Sequence, residues 1–112
     1  MTSGMWKDVG SIDDISAQGA RVVKTSFGRI AVFKSLDGQV YAIEDKCPHL
    51  GGPLSQGIVH GARVTCPLHN WVIDLSSGGV VGPDEGCVNR FPVKVEGGRI
   101  LLDFSVRIEK AA

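Results

Sequence analysis

A chain of 112 residues and 11.9 kDa has room for one domain and one modest core, which excludes a catalytic domain joined to a regulatory one. Hydrophobic residues at 43% against 21% charged make the composition globular, and twelve basic residues balance twelve acidic ones, so the electrostatic footprint of a nucleic-acid binder is missing. No apolar run approaches a membrane span, and the stretch from Met1 to Asp8 lacks the basic and apolar regions of a signal peptide. The expectation is a soluble, cytoplasmic protein with neither nucleic acid nor membrane as a partner.

Fifteen glycines and five prolines punctuate short β-branched runs where helices would need longer periodic ones, so the predicted class is all-β. In chain order, Trp6 to Val9 reads as a first strand. Ser11 then caps a single helical turn that Gly19 stops. Strands are predicted over Arg21 to Thr25, Arg29 to Lys34 and Val40 to Ile43, with turns near Gly28 and at Asp37-Gly38, making an antiparallel meander. From Glu44 to Pro83 seven glycines and four prolines break the chain into loops, and all three histidines lie there. Strands resume over Arg90 to Val95 and Arg99 to Phe104 around a Glu96-Gly97-Gly98 turn. The chain therefore divides into a β scaffold, about 5–43 and 84–105, and a loop-rich insertion, about 44–83, where function is expected to concentrate.

Within the insertion, Cys47-Pro48-His49 and Cys66-Pro67-Leu68-His69 form a C-x-H and a C-x-x-H pair separated by sixteen residues. Each offers one thiolate and one imidazole from a turn containing proline. Two cysteines and two histidines are the ligand set of a Rieske [2Fe-2S] centre, in which thiolates hold one iron and imidazoles the other. Structural zinc competes, but zinc modules present like ligands in pairs, and here each half is mixed. The remaining alternative is buried thiols and core imidazoles with no metal. Glycines after the first box and an aromatic after the second count against it.

The runs from Cys47 to Pro53 and from Cys66 to Trp71 resemble the two cluster-binding boxes of Rieske iron-sulfur proteins, and the resemblance extends from about Trp6 to Asp103. It implies Cys47, His49, Cys66 and His69 as cluster ligands and antiparallel β sheets with a cluster-binding subdomain inserted. The runs Gly57 to Gly61, Cys66 to Asp74 and Gly82 to Cys87 are similar to the small subunit of assimilatory NAD(P)H-dependent nitrite reductase. That implies electron transfer to a large subunit carrying flavin, a [4Fe-4S] cluster and sirohaem. The alternative partners are a ferredoxin reductase and a ring-hydroxylating dioxygenase, served by a free ferredoxin. A third reading is a structural subunit whose cluster is dispensable for turnover.

In respiratory Rieske proteins an extra cysteine in each box forms a disulfide, and a serine and a tyrosine donate hydrogen bonds to the cluster. By resemblance, Gly52, Leu68, Trp71 and Ile73 hold those positions here. Fewer donors predict a potential toward the low end of the Rieske range. Cys87, left over from the ligand set, is expected as a small buried side chain near a strand, and His60 as a surface residue. Trp71 should pack beneath the second loop, Leu50 should cover the cluster or face a partner, and Pro53 and Pro83 should stiffen the loops. No Ser/His/Asp arrangement, phosphate loop or paired carboxylates suggest an independent enzyme.

Overall fold

Strand β3, Gly28–Lys34, is buried on both faces, and this single fact organises the molecule. Its Ile30 and Val32 join a core with Ile15, Ala42, Phe91, Ile100 and Leu102. The alternate residues, Ala31 and Phe33, join a second core with Ile43, Leu54, Val59, Val64, Cys66, Ile73, Leu75 and Val88. A period-two chain presents successive side chains to opposite faces, so a run of Ile-Ala-Val-Phe serves two cores at once. Burying each large member fully contributes roughly 2 kcal/mol.

The computed structural model describes residues 6–25, 28–46, 53–67, 70–81 and 86–103. The architecture is all-β, with three antiparallel sheets among the described residues. In the middle layer, β3 pairs with β2, Gly19–Thr25, and β4, Val40–Glu44. On one side lies a sheet of β1, Lys7–Ser11, β10, Arg99–Leu102, and β9, Val93–Glu96, in the order β1-β10-β9. The third sheet runs in chain order through β5, Ile58–His60, β6, Arg63–Thr65, β7, Val72–Asp74, and β8, Val80–Val81. Among the described residues no helix is long and apolar enough to cross a membrane.

The turn after β1 has the serine cap its sequence predicts, but it ends at Ile15 and not at Gly19, which instead opens β2. Ser11 accepts from the Asp13 amide through its hydroxyl, while Asp14 reaches back to the Ser11 amide at 3.0 Å, closing a capping box around Ile12–Asp14. Glu96 pairs with Arg99 across Gly97-Gly98, whose φ values of 57 and 79° suit the left-handed positions of a two-residue hairpin.

The Asp37-Gly38 turn lies where expected, in a loop across which Lys34 pairs with Val40 and the buried Ser35 donates its amide to the Gln39 carbonyl at 2.8 Å. Two further expectations are corrected. The strand predicted from Arg90 starts only at Val93. Before it, the Phe91 amide donates to the Ala42 carbonyl at 2.9 Å and Arg90 bridges Ile43, so 90–91 belong beside β4. Pro92, with no amide hydrogen, is where the chain changes sheets. Finally, Cys87 is exposed rather than buried, because its backbone bridges Gly79 while neighbouring Val88 takes the inward position.

Candidate metal centre

The second box is the loop of a β hairpin. Strands β6 and β7 pair Val64 with Ile73 and Thr65 with Val72, and the Cys66 amide extends the ladder by donating to the Trp71 carbonyl at 2.6 Å. The chain must then reverse between these two residues. Asn70 makes the return in the left-handed region, at φ 59°, which asparagine tolerates better than other residues with a β-carbon. Cys66 itself is only 1% exposed and lies in the core with Leu54, Val64 and Ile73. Trp71 is half-buried and packs against that same core.

The first box is held from both of its ends. Asp45 precedes it just after β4, and Ser55 follows it in the short helical turn Leu54–Gln56. The Ser55 amide donates to Asp45 Oδ1 at 2.7 Å, and its hydroxyl donates to Oδ2 at 2.8 Å. Arg29 Nη2 lies 3.7 Å from Oδ2. The Asp45 amide donates to the Arg29 carbonyl at 3.0 Å, the Glu44 amide donates to the Asn89 carbonyl at 3.0 Å, and the Asn89 amide donates to Glu44 Oε1 at 2.9 Å. Leu54, fully buried, pins the helical turn to the core. Cys47, His49, Leu50 and Gly52 of this box, and Leu68 and His69 of the second, lie outside the described residues, as does Pro83.

A third loop follows β7. Asp74 accepts from the Ser76 amide at 2.9 Å and from the Ser76 hydroxyl, and from the Ser77 amide at 3.3 Å. Partial burial pushes the Asp74 carboxyl up, but these bonds and the charge of Arg63 outweigh it and hold it below the usual range. Arg90 Nη1 donates to the Ser76 carbonyl at 2.9 Å, fixing the same turn from the side. His60 is exposed, with Nε2 2.7 Å from Thr65 Oγ1, in keeping with its expected surface role.

The sequence reading missed the Asp45–Ser55 clamp and the left-handed Asn70. Polar residues bracketing a glycine-rich box were the available signal for the first, and an asparagine at a hairpin return for the second. The surroundings of Cys66 fit an iron–sulfur group, since an iron-bound thiolate is best held on the dry side of its loop and Cys66 lies on the core side.

Comparison with known proteins agrees with this geometry. Residues 5–92 match the Rieske [2Fe-2S] domain. The chain is 31% identical over 98 residues to the ferredoxin component of the naphthalene 1,2-dioxygenase/salicylate 5-hydroxylase systems of Ralstonia sp, covering 87% of this chain and 93% of that one. It superposes with a TM-score of 0.81 and 26% identity on a chain from the complex of reduced oxygenase and oxidized ferredoxin in carbazole 1,9a-dioxygenase, covering 98% of this chain and 99% of the other. A Mycobacterium tuberculosis protein assigned as an NADH-dependent nitrite reductase small subunit gives a TM-score of 0.80 and 25% identity over 90% of this chain and 96% of its own. A chain in which the second-box cysteine lies buried at the base of a β hairpin, matched over most of its length by these proteins, belongs to the Rieske [2Fe-2S] domain family, and its cofactor is a Rieske-type cluster used for electron transfer.

Proposed function

We propose that this chain is the electron-transfer small subunit of an NAD(P)H-dependent nitrite reductase acting in the cytoplasm. In this reading Cys47 and Cys66 hold one iron while His49 and His69 hold the other. The cluster, when bound, supplies a one-electron reservoir. The chain's own residues present it: 5–43 and 84–105 form the scaffold, and 44–83 the cluster-binding insertion. Reduction of nitrite takes place on a large subunit with flavin, a [4Fe-4S] cluster and sirohaem. A free, exposed thiol at Cys87 suits a reducing compartment.

One observation carries this choice of partner. The described parts of the runs that resemble nitrite reductase small subunits fall on one sheet: 57–61 contain β5, 66–74 contain β7, and Cys87 bridges Gly79 beside β8. Reconstitution with a sirohaem-containing large subunit tests it. NAD(P)H-dependent nitrite consumption should rise with added small subunit, and a rate independent of the small subunit sinks the assignment.

The second reading, a ferredoxin feeding a ring-hydroxylating dioxygenase, is favoured by the 31% identity to the Ralstonia ferredoxin component. It predicts reduction by a ferredoxin reductase and substrate-dependent oxidation by the oxygenase. The ligand set is tested in either case by iron and sulfide content. Alanine at Cys47, His49, Cys66 or His69 should abolish the cluster, while Cys87→Ala and His60→Ala should retain it.

A further inference from the structure

We propose that Asp45 is a positioning residue for the first cluster box whose negative charge, only partly offset by Arg29, holds the reduction potential of the centre down. The proposal rests on Cys47 and His49 being cluster ligands.

Geometry makes Asp45 more than a neighbour of the box. Its two carboxylate oxygens bind the amide and the hydroxyl of Ser55, so one side chain joins the chain entering 47–52 to the chain leaving it. A box closed in this way has both ends fixed by one rigid group, anchored in turn by the Asp45 amide on β3. Asparagine could link to Ser55 without charge, its Oδ1 accepting from the amide and its Nδ2 donating to the hydroxyl oxygen. A buried carboxylate costs free energy to desolvate, so its charge, and not only its bonds, is the feature to be explained.

The charge is poorly compensated. The Asp45 side chain is 0% exposed, whereas the Arg29 side chain is 57% exposed, so water screens the guanidinium far more than the carboxylate. Asp45 stands two residues before Cys47, which limits the separation of their α-carbons to about 7 Å. An electron added to a centre at Cys47 therefore enters the field of a nearby buried anion. That field opposes reduction.

The test is a potentiometric titration of the purified holoprotein, followed by optical and EPR signals, for wild type, Asp45→Asn, Arg29→Gln and Ser55→Ala. Asp45→Asn keeps an acceptor for Ser55 and removes the charge, and should shift the electron-exchange equilibrium toward the reduced form about tenfold, or 59 mV for one electron. Arg29→Gln should shift it the opposite way and by less. Ser55→Ala should leave the midpoint in place and speed cluster loss, since the charge stays and the clamp opens. A merely structural Asp45 would change stability without these opposed shifts. An unchanged midpoint in Asp45→Asn, or an upward shift in Arg29→Gln, overturns the proposal. Should Asp45→Asn fail to fold, Arg29→Gln decides alone: a lower midpoint supports the proposal and an unchanged one overturns it. Cys47→Ala, made in parallel, separates the two levels. If it keeps its iron, the ligand reading itself is wrong; if it loses iron while the midpoints of the other variants stay fixed, only the role of Asp45 is wrong.

Discussion

Cys66 and Trp71 face each other as the last rung of the β6–β7 ladder, joined by a backbone hydrogen bond of 2.6 Å from the Cys66 amide to the Trp71 carbonyl. The loop they close is thus continuous with a sheet whose inner residues, Val64 and Ile73, are fully buried. A proposed ligand cysteine placed there inherits the rigidity of the core rather than that of a surface loop.

The return through Asn70 gives a first prediction. Asn70→Gly should leave stability nearly unchanged, because glycine accepts the left-handed backbone freely, whereas Asn70→Val should cost about 1–2 kcal/mol. Chemical denaturation of the two variants measures the difference. Equal losses would mean that the loop does not constrain this position.

Close approach and backbone conformation can be separated at two other glycines. A β-carbon on Gly57 would sit 2.2 Å from the Thr65 carbonyl oxygen, while one on Gly38 would meet nothing, although Gly38 has φ +88°. Gly57→Ala should therefore cost roughly 3 kcal/mol or more through displaced backbone, and Gly38→Ala only about 1 kcal/mol through strain. Comparable melting temperatures for the two variants would contradict this ranking.

Acid sensitivity follows from Asp74. Its carboxyl is held below the ordinary value of 3.8 by Ser76, Ser77 and Arg63 despite partial burial. A group with a depressed native pKa adds stability that is present above its unfolded pKa and is lost as pH falls through the native one. Asp74→Ala should thus be less stable than wild type at neutral pH, with the gap closing as the pH drops below about 4. Melting temperatures between pH 2 and pH 7 test this on a scale of order 4–8 °C per kcal/mol. A gap that persists at the acid end would assign the effect to lost packing instead.

The potential of the centre is a further prediction. Ile73 is fully buried and Trp71 packs on the core, and neither side chain offers the hydroxyl that respiratory Rieske proteins place at the matching positions. The midpoint should be on the order of −150 mV, at the low end of the Rieske range. Voltammetry giving a value above about +100 mV would reveal a donor elsewhere in the site.

Local features were legible because they depend on neighbours in the chain. The Ser11 N-cap, the Gly97-Gly98 hairpin and strands β2 to β4 all rest on residues within a few positions of one another. The paired Cys/His boxes were legible for a chemical reason, since few groups use a thiolate and an imidazole from each of two loops. The Asp37-Gly38 pair marked its turn correctly, and the buried Ser35 hydroxyl, bonded to Asp37, helps close the loop around it.

What the sequence by itself determined is the all-β class, the order of most strands and the nature of the cofactor, because period, turn chemistry and donor type are properties of short segments. Only the tertiary structure decided that β1 leaves the meander to pair with β10, that 88–92 cross from one sheet to another at Pro92, and that Cys87 faces outward. It alone also brought Asp45 onto Ser55 across the first box and Arg29 onto Asp45 from a different strand. The physical reason is common to these cases. Each is a pairing between segments distant in sequence, selected by the need to cover both faces of β3 and to satisfy buried polar groups, and no local pattern encodes which partner meets that need.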